Sequence, residues 1–478
     1  MSKQPTIYEI NTPIFLRELS EGKETLVTFD TVPDSVWDDI ASQPFDMVWF
    51  MGVWKRSEIA RDMAISEPWL KREMPDLKEE DVIGSAYSIL DYHVDDAFGG
   101  NEGLAIARQK LQQRGLSLML DYVPNHVGID HPWVTDHTDY FLGGSQEELA
   151  DHPSRFVETP TGIFARGKDP NFEPWSDVLQ LNAFSPGLRQ ELVDMLTRIA
   201  GMCDALRCDM AMLMMNEIFQ GTWGERAGAV PADDFWPHLI GEVKKLRPDF
   251  IFLAEVYWEK ERALLEQGFD FCYDKEFYDF VTKPSFHKLQ KHLDKTADYQ
   301  DHLLKFLENH DEERAAETLT FLNHGVAALI LATVPGAHLY HEGQFEGRKS
   351  RVPVHLSRRM SEEENLGIRS LYANLFTFMQ ETKLYDGEWQ RLEAHQGLFS
   401  RHAHAMLVWT WKTPVGEYVF CINFTDDRIN GSVPYLKDKK VLRMTDQSMT
   451  DVEKEIYLKG TSHVKLAPWQ GLIIQLDK

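Results

Sequence analysis

Five apolar stretches of the chain run out onto groups that can hold charge or move protons. "LSLMLDYV" (116–123) carries Asp121 and leads to Asn125 and His126. "ALRCD" (205–209) ends on Arg207 and Asp209, and "FIFLAEV" (250–256) on Glu255. "LLKFLEN" (303–309) continues into His310 and Asp311, and "AHLYHEG" (337–343) carries Tyr340, His341 and Glu342. Taken singly, an Asp after a strand is a turn former or helix cap, and a lone His is a packing residue. Taken together, carboxylates, an arginine and two histidines, without a phosphate loop or a CxxC pair, suit cleavage of a glycosidic bond. Its transition state is an oxocarbenium, which carboxylates stabilise; one carboxylate attacks and a second, protonated, assists the leaving oxygen. Arg207 lies two residues before Asp209, on the same side of a strand, and is expected to keep that carboxylate ionised.

Such groups need a scaffold that lines up strand ends. Besides these five, "TIYEI" (6–10), "MVWFMG" (47–52) and "FDFCYD" (269–274) read as strands. Helical patterns lie between most of them. "GNEGLAIARQKLQQRG" ends on Gly115, and "SPGLRQELVDMLTRIAG" opens with Ser185 as N-cap and Pro186 at the first helical position. Eight near-continuous apolar strands alternating with helices predict an α/β fold, a (β/α)8 TIM barrel with its site at the strands' C-terminal ends. A doubly wound open sheet is the alternative, weakened because no GxGxxG follows the first strand.

The predicted organisation has four parts. Residues 1–126 form the first part of the barrel, and 127–177, rich in Asp, His, Pro and Gly, a small inserted domain after the third strand. Residues 178–385 complete the barrel. Residues 386–478 form an all-β C-terminal sandwich, with strands at "HAMLVWTWK", "EYVFCINFT", "KKVLRMT" and "GLIIQLDK".

In order and spacing the motifs resemble those of the α-amylase family of retaining α-glycosidases. "DYVPNH" (121–126), "LRCDMAM" (206–212), "FLAEVYW" (252–258) and "FLENHD" (306–311) resemble its four regions, and "GSAYSILDYHVDDAFGG" (84–100) the loop that brings a tyrosine to the pocket. The resemblance implies Asp209 as nucleophile, Glu255 as acid and base, and Asp311 as a third catalytic carboxylate holding substrate hydroxyls. It implies Arg207, His126, His310 and Tyr87 as substrate-binding or supporting groups. Where many members carry a Lys-His pair, this chain has Met212 and Leu213, which points to short oligosaccharides rather than polymeric starch. Asn125 occupies a position that often binds calcium. Calcium is possible there, but no metal or cofactor is expected to be required, and hydrogen bonding that orients the loop is the simpler role.

Composition bounds the partners. With 43% hydrophobic residues and 478 positions the chain can bury a large core. A net charge of -26 disfavours nucleic acid and anionic membrane. Four scattered cysteines and an N-terminus without a signal-like pattern suggest a cytoplasmic location. Oligomeric state, linkage and exo or endo action are not readable. Competing readings are a transglycosylase or isomerase using the same carboxylates, and a non-catalytic carbohydrate-binding barrel. His402 and His404 are expected to alternate on an exposed strand, and Trp133, Trp175 and Trp258 are candidate sugar platforms.

Overall fold

The computed structural model describes residues 3–396, 400–459 and 462–477. Eight parallel strands close into a barrel: β1 (Thr6–Asn11), β2 (Met47–Met51), β3 (Ser117–Tyr122), β4 (Ala205–Cys208), β5 (Ile251–Ala254), β6 (Phe271–Tyr273), β7 (Leu303–Lys305) and β8 (Ala337–His341). They follow one another round the barrel in chain order, β8 closing on β1. Each expected strand is present, shortened by a residue or more where the sequence pattern ran into the loop. The strands read as unbroken apolar runs because both faces are covered. All five residues of β2 are buried, as are all of β4, β6, β7 and β8.

Two helices show how the sequence sets the packing. In α1 (Gly100–Gln112), Leu104, Ala107 and Leu111 recur at helical spacing and are buried. In α2 (Pro186–Met202), the Ser185 side chain accepts from the Leu188 N–H, and Leu188, Leu192, Leu196 and Ile199 face the core. Such a cap contributes about 1 kcal/mol.

After β3 the chain leaves the barrel. Residues His126–Gly128 pair antiparallel with Val178–Gln180, making a neck. Beyond it lie a short helix, Gln146–Asp151, held by a Ser145/Glu148 capping box, and a hairpin joining Phe156–Thr159 to Gly162–Ala165.

The C-terminal part is a sandwich. One sheet has five strands in the order β9 (Glu388–Leu392), β10 (Met406–Lys412), β11 (Glu417–Asn423), β16 (Gln470–Leu476) and β13 (Val441–Asp446). The other pairs β12 (Ile429–Ser432), β15 (His463–Leu466) and β14 (Leu458–Lys459). Val408, Val419, Ile429, Val464 and Leu472 share the apolar layer. The larger sheet is seated on the barrel: the Trp411 indole donates to the Thr333 carbonyl at 2.8 Å. At Gly471 an added Cβ would come within 2.5 Å of a methyl group of the Leu329 side chain, so a larger residue there must displace that methyl group. Lys478, last residue of the expected final strand, lies outside the described residues. His402 and His404 are not on a strand. His402 has φ 53°, a left-handed turn precedes β10, and the extended backbone starts only at Met406. All four cysteines are free and buried.

Several histidines are buried without charge. Burial pushes His338 and His341 down to about 3, and His126, His131 and His324 down to about 4. His310 and His292 are shifted upward, their carboxylate neighbours outweighing burial. The signs are opposite. A histidine depressed in the fold contributes stability that is lost as pH falls from 6.5 through its folded value. A histidine raised in the fold contributes stability present below 6.5 and lost as pH rises through its folded value. Unfolding free energy, from denaturant titrations between pH 4 and 8, should therefore peak near pH 6.5. Below the peak it should fall by up to about 1.4 kcal/mol per pH unit for each depressed group. A flat profile between pH 4 and 6.5 would refute neutral burial of these side chains.

Candidate active site

Parallel register brings the C-terminal strand ends to one rim. Arg207 on β4 stands opposite Asp121 on β3, and Glu9 on β1 lies between Trp49 on β2 and His341 on β8. Just past the strands, the Asp209 N–H donates to the Tyr122 carbonyl and the Glu255 N–H to the Cys208 carbonyl. Two carboxylates from different β/α units are thereby fixed side by side.

Arg207 is the centre of the arrangement. Its guanidinium is fully buried; Nη1 donates to Asp209 Oδ1 at 2.8 Å, and Nη2 lies 2.8 Å from Glu255 Oε2. The second contact is an ion pair without the alignment of a hydrogen bond, and Nη2 has no aligned acceptor. The rings of Trp49, Tyr87 and Tyr273 surround the guanidinium at 5.2–5.7 Å. Asp121 is 3.7 Å from Nη1 and accepts from the Gly52 N–H at 3.0 Å. It braces the arginine and the second strand's turn.

Glu255 is held from two sides. The Met210 N–H donates to Oε2 at 2.7 Å, and the Tyr257 hydroxyl donates to Oε1 at 2.9 Å. Met210 adopts φ 42°, ψ 46°, a left-handed conformation that costs a non-glycine residue roughly 1–2 kcal/mol. That turn aims its N–H at Glu255, so the strain is spent on the site.

The expectation that Arg207 keeps Asp209 ionised is corrected for the free site. Burial dominates and, with the negative charge of Glu255 added, raises Asp209 up to about 8 despite the guanidinium. Asp311 goes the other way. Burial pushes it up, but His310, Arg207 and Arg351 together hold it down at about 2.

His310 joins three parts of the rim. Nδ1 meets Glu9 Oε1 at 2.5 Å, and Nε2 lies 2.6 Å from the Tyr87 hydroxyl and 2.9 Å from Asp311 Oδ2. The Tyr87 ring stacks on the imidazole at 5.4 Å. Asp311 itself is 47% exposed at its side chain, so it stands at the pocket's open edge. His126 is buried under the Trp175 ring, 5.0 Å away, beside the Tyr87 main chain. All seven sequence-predicted residues, Tyr87, His126, Arg207, Asp209, Glu255, His310 and Asp311, thus belong to one connected cluster. Of the tryptophans, Trp175 borders it, Trp133 is buried against His131 and Tyr140, and Trp258 is 36% exposed. Met212–Met215 are buried core.

Sequence reasoning missed Glu9, Trp49, Tyr257 and Tyr273. Glu9 had a signal: it is the one acid in "TIYEIN", and it is fully buried. Its side-chain contact within the cluster is His310. Removing its charge lowers the imidazole's affinity for a proton, because a carboxylate partner favours the cation. Glu9→Gln should move the alkaline limb of kcat/KM to lower pH and reduce its maximum about tenfold or more. A profile unchanged in shape would make Glu9 merely structural.

The calcium possibility at Asn125 meets a poor fit. Asn125 Oδ1 accepts from Gln180 Nε2 at 2.9 Å, and the same amide nitrogen donates to the carbonyls of Asn125 and Leu181. Those main-chain acceptors fix which end of the Gln180 amide points inward. A donor therefore occupies the place where a cation's oxygen cage would need an acceptor. The pair ties the neck to the barrel, the loop-orienting role.

A parallel eight-stranded barrel with acidic side chains at its C-terminal rim defines a glycosidase-type site. A family model described as the α-amylase catalytic domain matches residues 63–365. The chain belongs to the α-amylase family of glycosidases. Alpha-amylase 3 of Dictyoglomus thermophilum is 22% identical over 331 residues, covering 63% of this chain and 60% of that relative. The chain thus matches less than two thirds of that relative's length. Among solved structures, the α-amylase of Lactobacillus plantarum shares the fold with a TM-score of 0.69, 18% identity and 99% of each chain covered. The noncanonic maltogenic α-amylase of Thermotoga neapolitana has a TM-score of 0.68 at 18% identity, covering 100% of this chain and 99% of its own. The α-amylase of Geobacillus thermoleovorans, solved with acarbose, has 0.67 at 18% identity and the same coverage.

Proposed function

We propose that the protein is a retaining hydrolase of α-glucosidic bonds in short oligosaccharides, working through a covalent β-glycosyl ester on Asp209. The observation that supports it most is the clamp: one guanidinium holds the carboxyls of Asp209 and Glu255 on its two terminal nitrogens. Sharing one guanidinium favours a short separation of the two carboxyls, and a separation of roughly 5–5.5 Å suits a double displacement rather than a single one with water between them.

The starting state is one proton shared by the pair. The raised affinity of Asp209's surroundings for a proton favours that state near neutral pH. Sugar binding excludes water, and the proton resides on Glu255, where the Tyr257 hydroxyl can turn to accept it. Asp209 attacks the anomeric carbon as Glu255 protonates the leaving oxygen. Glu255 then takes a proton from water, which opens the ester with a second inversion. Asp311 and the His310 imidazolium grip adjacent hydroxyls, Tyr87 offers its ring to the sugar, and His126, neutral, hydrogen-bonds it. Met212 and Leu213, buried and uncharged, leave the leaving-group side without the charged contact a long chain would use.

The test is stereochemical. Proton NMR of maltotriose hydrolysis should show the α-anomer of the new reducing end first, with β appearing only by mutarotation. First formation of β would rule out the double displacement.

A further inference from the structure

The chain carries a net charge of -26, yet one cavity gathers four cationic side chains. It measures ≈ 250 Å³ and lies where the inserted segment meets helix α3 (Asn216–Trp223). Arg155, Arg166, Lys168 and Arg226 line it, with Trp223 as one wall. Its lining carboxylate, Glu148, is already paired with Arg226, which also donates to the Gly143 carbonyl. Arg166 is turned to the Ser176 carbonyl. Among the described residues, neither Arg155 nor Lys168 has a carboxylate within ion-pair distance, and the Lys168 ammonium lies 4.8 Å over the Trp223 ring. Burial and the charges of Arg155 and Arg226 outweigh the opposing charge of Glu173 and hold Lys168 below its ordinary pKa. Repulsion that Glu173 offsets only in part is relieved further by an anion.

The cavity is one backbone thickness from the catalytic cluster. The Lys168 N–H donates to Gln180 Oε1, whose amide holds Asn125. At Gly167 an added Cβ would come within 3.0 Å of the His126 Cβ, and the Gly167 carbonyl accepts from Trp175, the ring over His126.

We propose that this cavity binds a phosphoryl group, carried by a phosphorylated saccharide whose sugar portion extends toward the catalytic pocket. A phosphate monoester fits the lining better than a carboxylate does. It is a dianion at neutral pH, its oxygens match guanidinium forks, and it neutralises more than one of the cations at once. The proposal deepens the glycosidase reading and rests on it for the sugar.

The test uses the full-length protein with glucose 6-phosphate, inorganic phosphate and glucose as calorimetric probes. Both phosphate-bearing probes should bind, and glucose should bind at least tenfold more weakly than its 6-phosphate. Arg155→Ala and Lys168→Gln should each weaken phosphate binding about tenfold, the scale of one lost charge-assisted hydrogen bond. Turnover of neutral maltotriose should stay within about twofold of the parent. Equal affinity for inorganic phosphate and glucose 6-phosphate would overturn the attached-sugar source and leave free phosphate as the ligand. Equal affinity of parent and both variants for phosphate, or no heat from any phosphate probe, would overturn the site. Loss of phosphate binding with intact maltotriose turnover is expected of the variants. Intact phosphate binding by a parent that turns over no α-glucoside would instead overturn the hydrolase reading alone.

Discussion

Asp209→Asn should reduce turnover of maltotriose by at least about three orders of magnitude while leaving the fold intact. The size follows from the role: an amide oxygen is a far weaker nucleophile than a carboxylate, so the covalent half of the reaction loses its attacking group. The fold should survive for an electrostatic reason. Asp209 is buried with Arg207 and within the influence of Glu255 and Asp311. Removing one negative charge from so acidic a cluster relieves repulsion as well as losing one ion-pair contact, and the side-chain oxygen of Asn can still accept from Nη1. Thermal unfolding should shift by only a few degrees. Asp209→Ala gives a sharper reading: with α-glucosyl fluoride and added azide, azide enters the vacated space and attacks from the nucleophile's side, giving β-glucosyl azide. Appearance of that product would tie Asp209 to the face opposite the leaving group. Turnover of either variant at the parent's rate would end the assignment.

How much of this could be read before any coordinates depends on the kind of interaction. The barrel strands were legible because burial on both faces writes a continuous apolar run, as in "MVWFM". The acids of β4, β5 and β7 were legible because each ends such a run. The residues that complete the site were not. Tyr273 comes from a three-residue strand and reaches Arg207 across the barrel, its hydroxyl 3.3 Å from Nε. Nothing local distinguishes it from a core tyrosine. Glu9 reaches His310 over 301 positions of sequence. Asp209 was misjudged in a more instructive way. A nearby arginine is visible in "LRCD", but the burial that outweighs it is a property of the assembled pocket. The same limit applies in the C-terminal part: β9, β12, β14 and β15 are five residues or shorter and were missed, whereas the four longer strands of the larger sheet were found.

Replacing Glu255 by Gln should uncouple the two chemical steps in a way no structural lesion imitates. The amide cannot protonate a leaving oxygen, so turnover of maltotriose should fall by about three orders of magnitude. α-Glucosyl fluoride leaves without a proton, so formation of the ester on Asp209 should be much less impaired. Hydrolysis of that ester needs the missing base; the intermediate should accumulate and be visible by mass spectrometry of the intact protein. Added azide needs no base, and should restore release and yield α-glucosyl azide, the configuration opposite to that from Asp209→Ala. Geometry makes the substitution a fair one. Gln keeps the volume, and its oxygen can still accept from the Met210 N–H, the contact for which the left-handed turn is held. What it removes is the proton donor. The alkaline limb follows His310, whose proton is held by its carboxylate neighbours, so it should persist in the azide-rescued variant. A limb that vanished with Glu255 would take that proton away from His310.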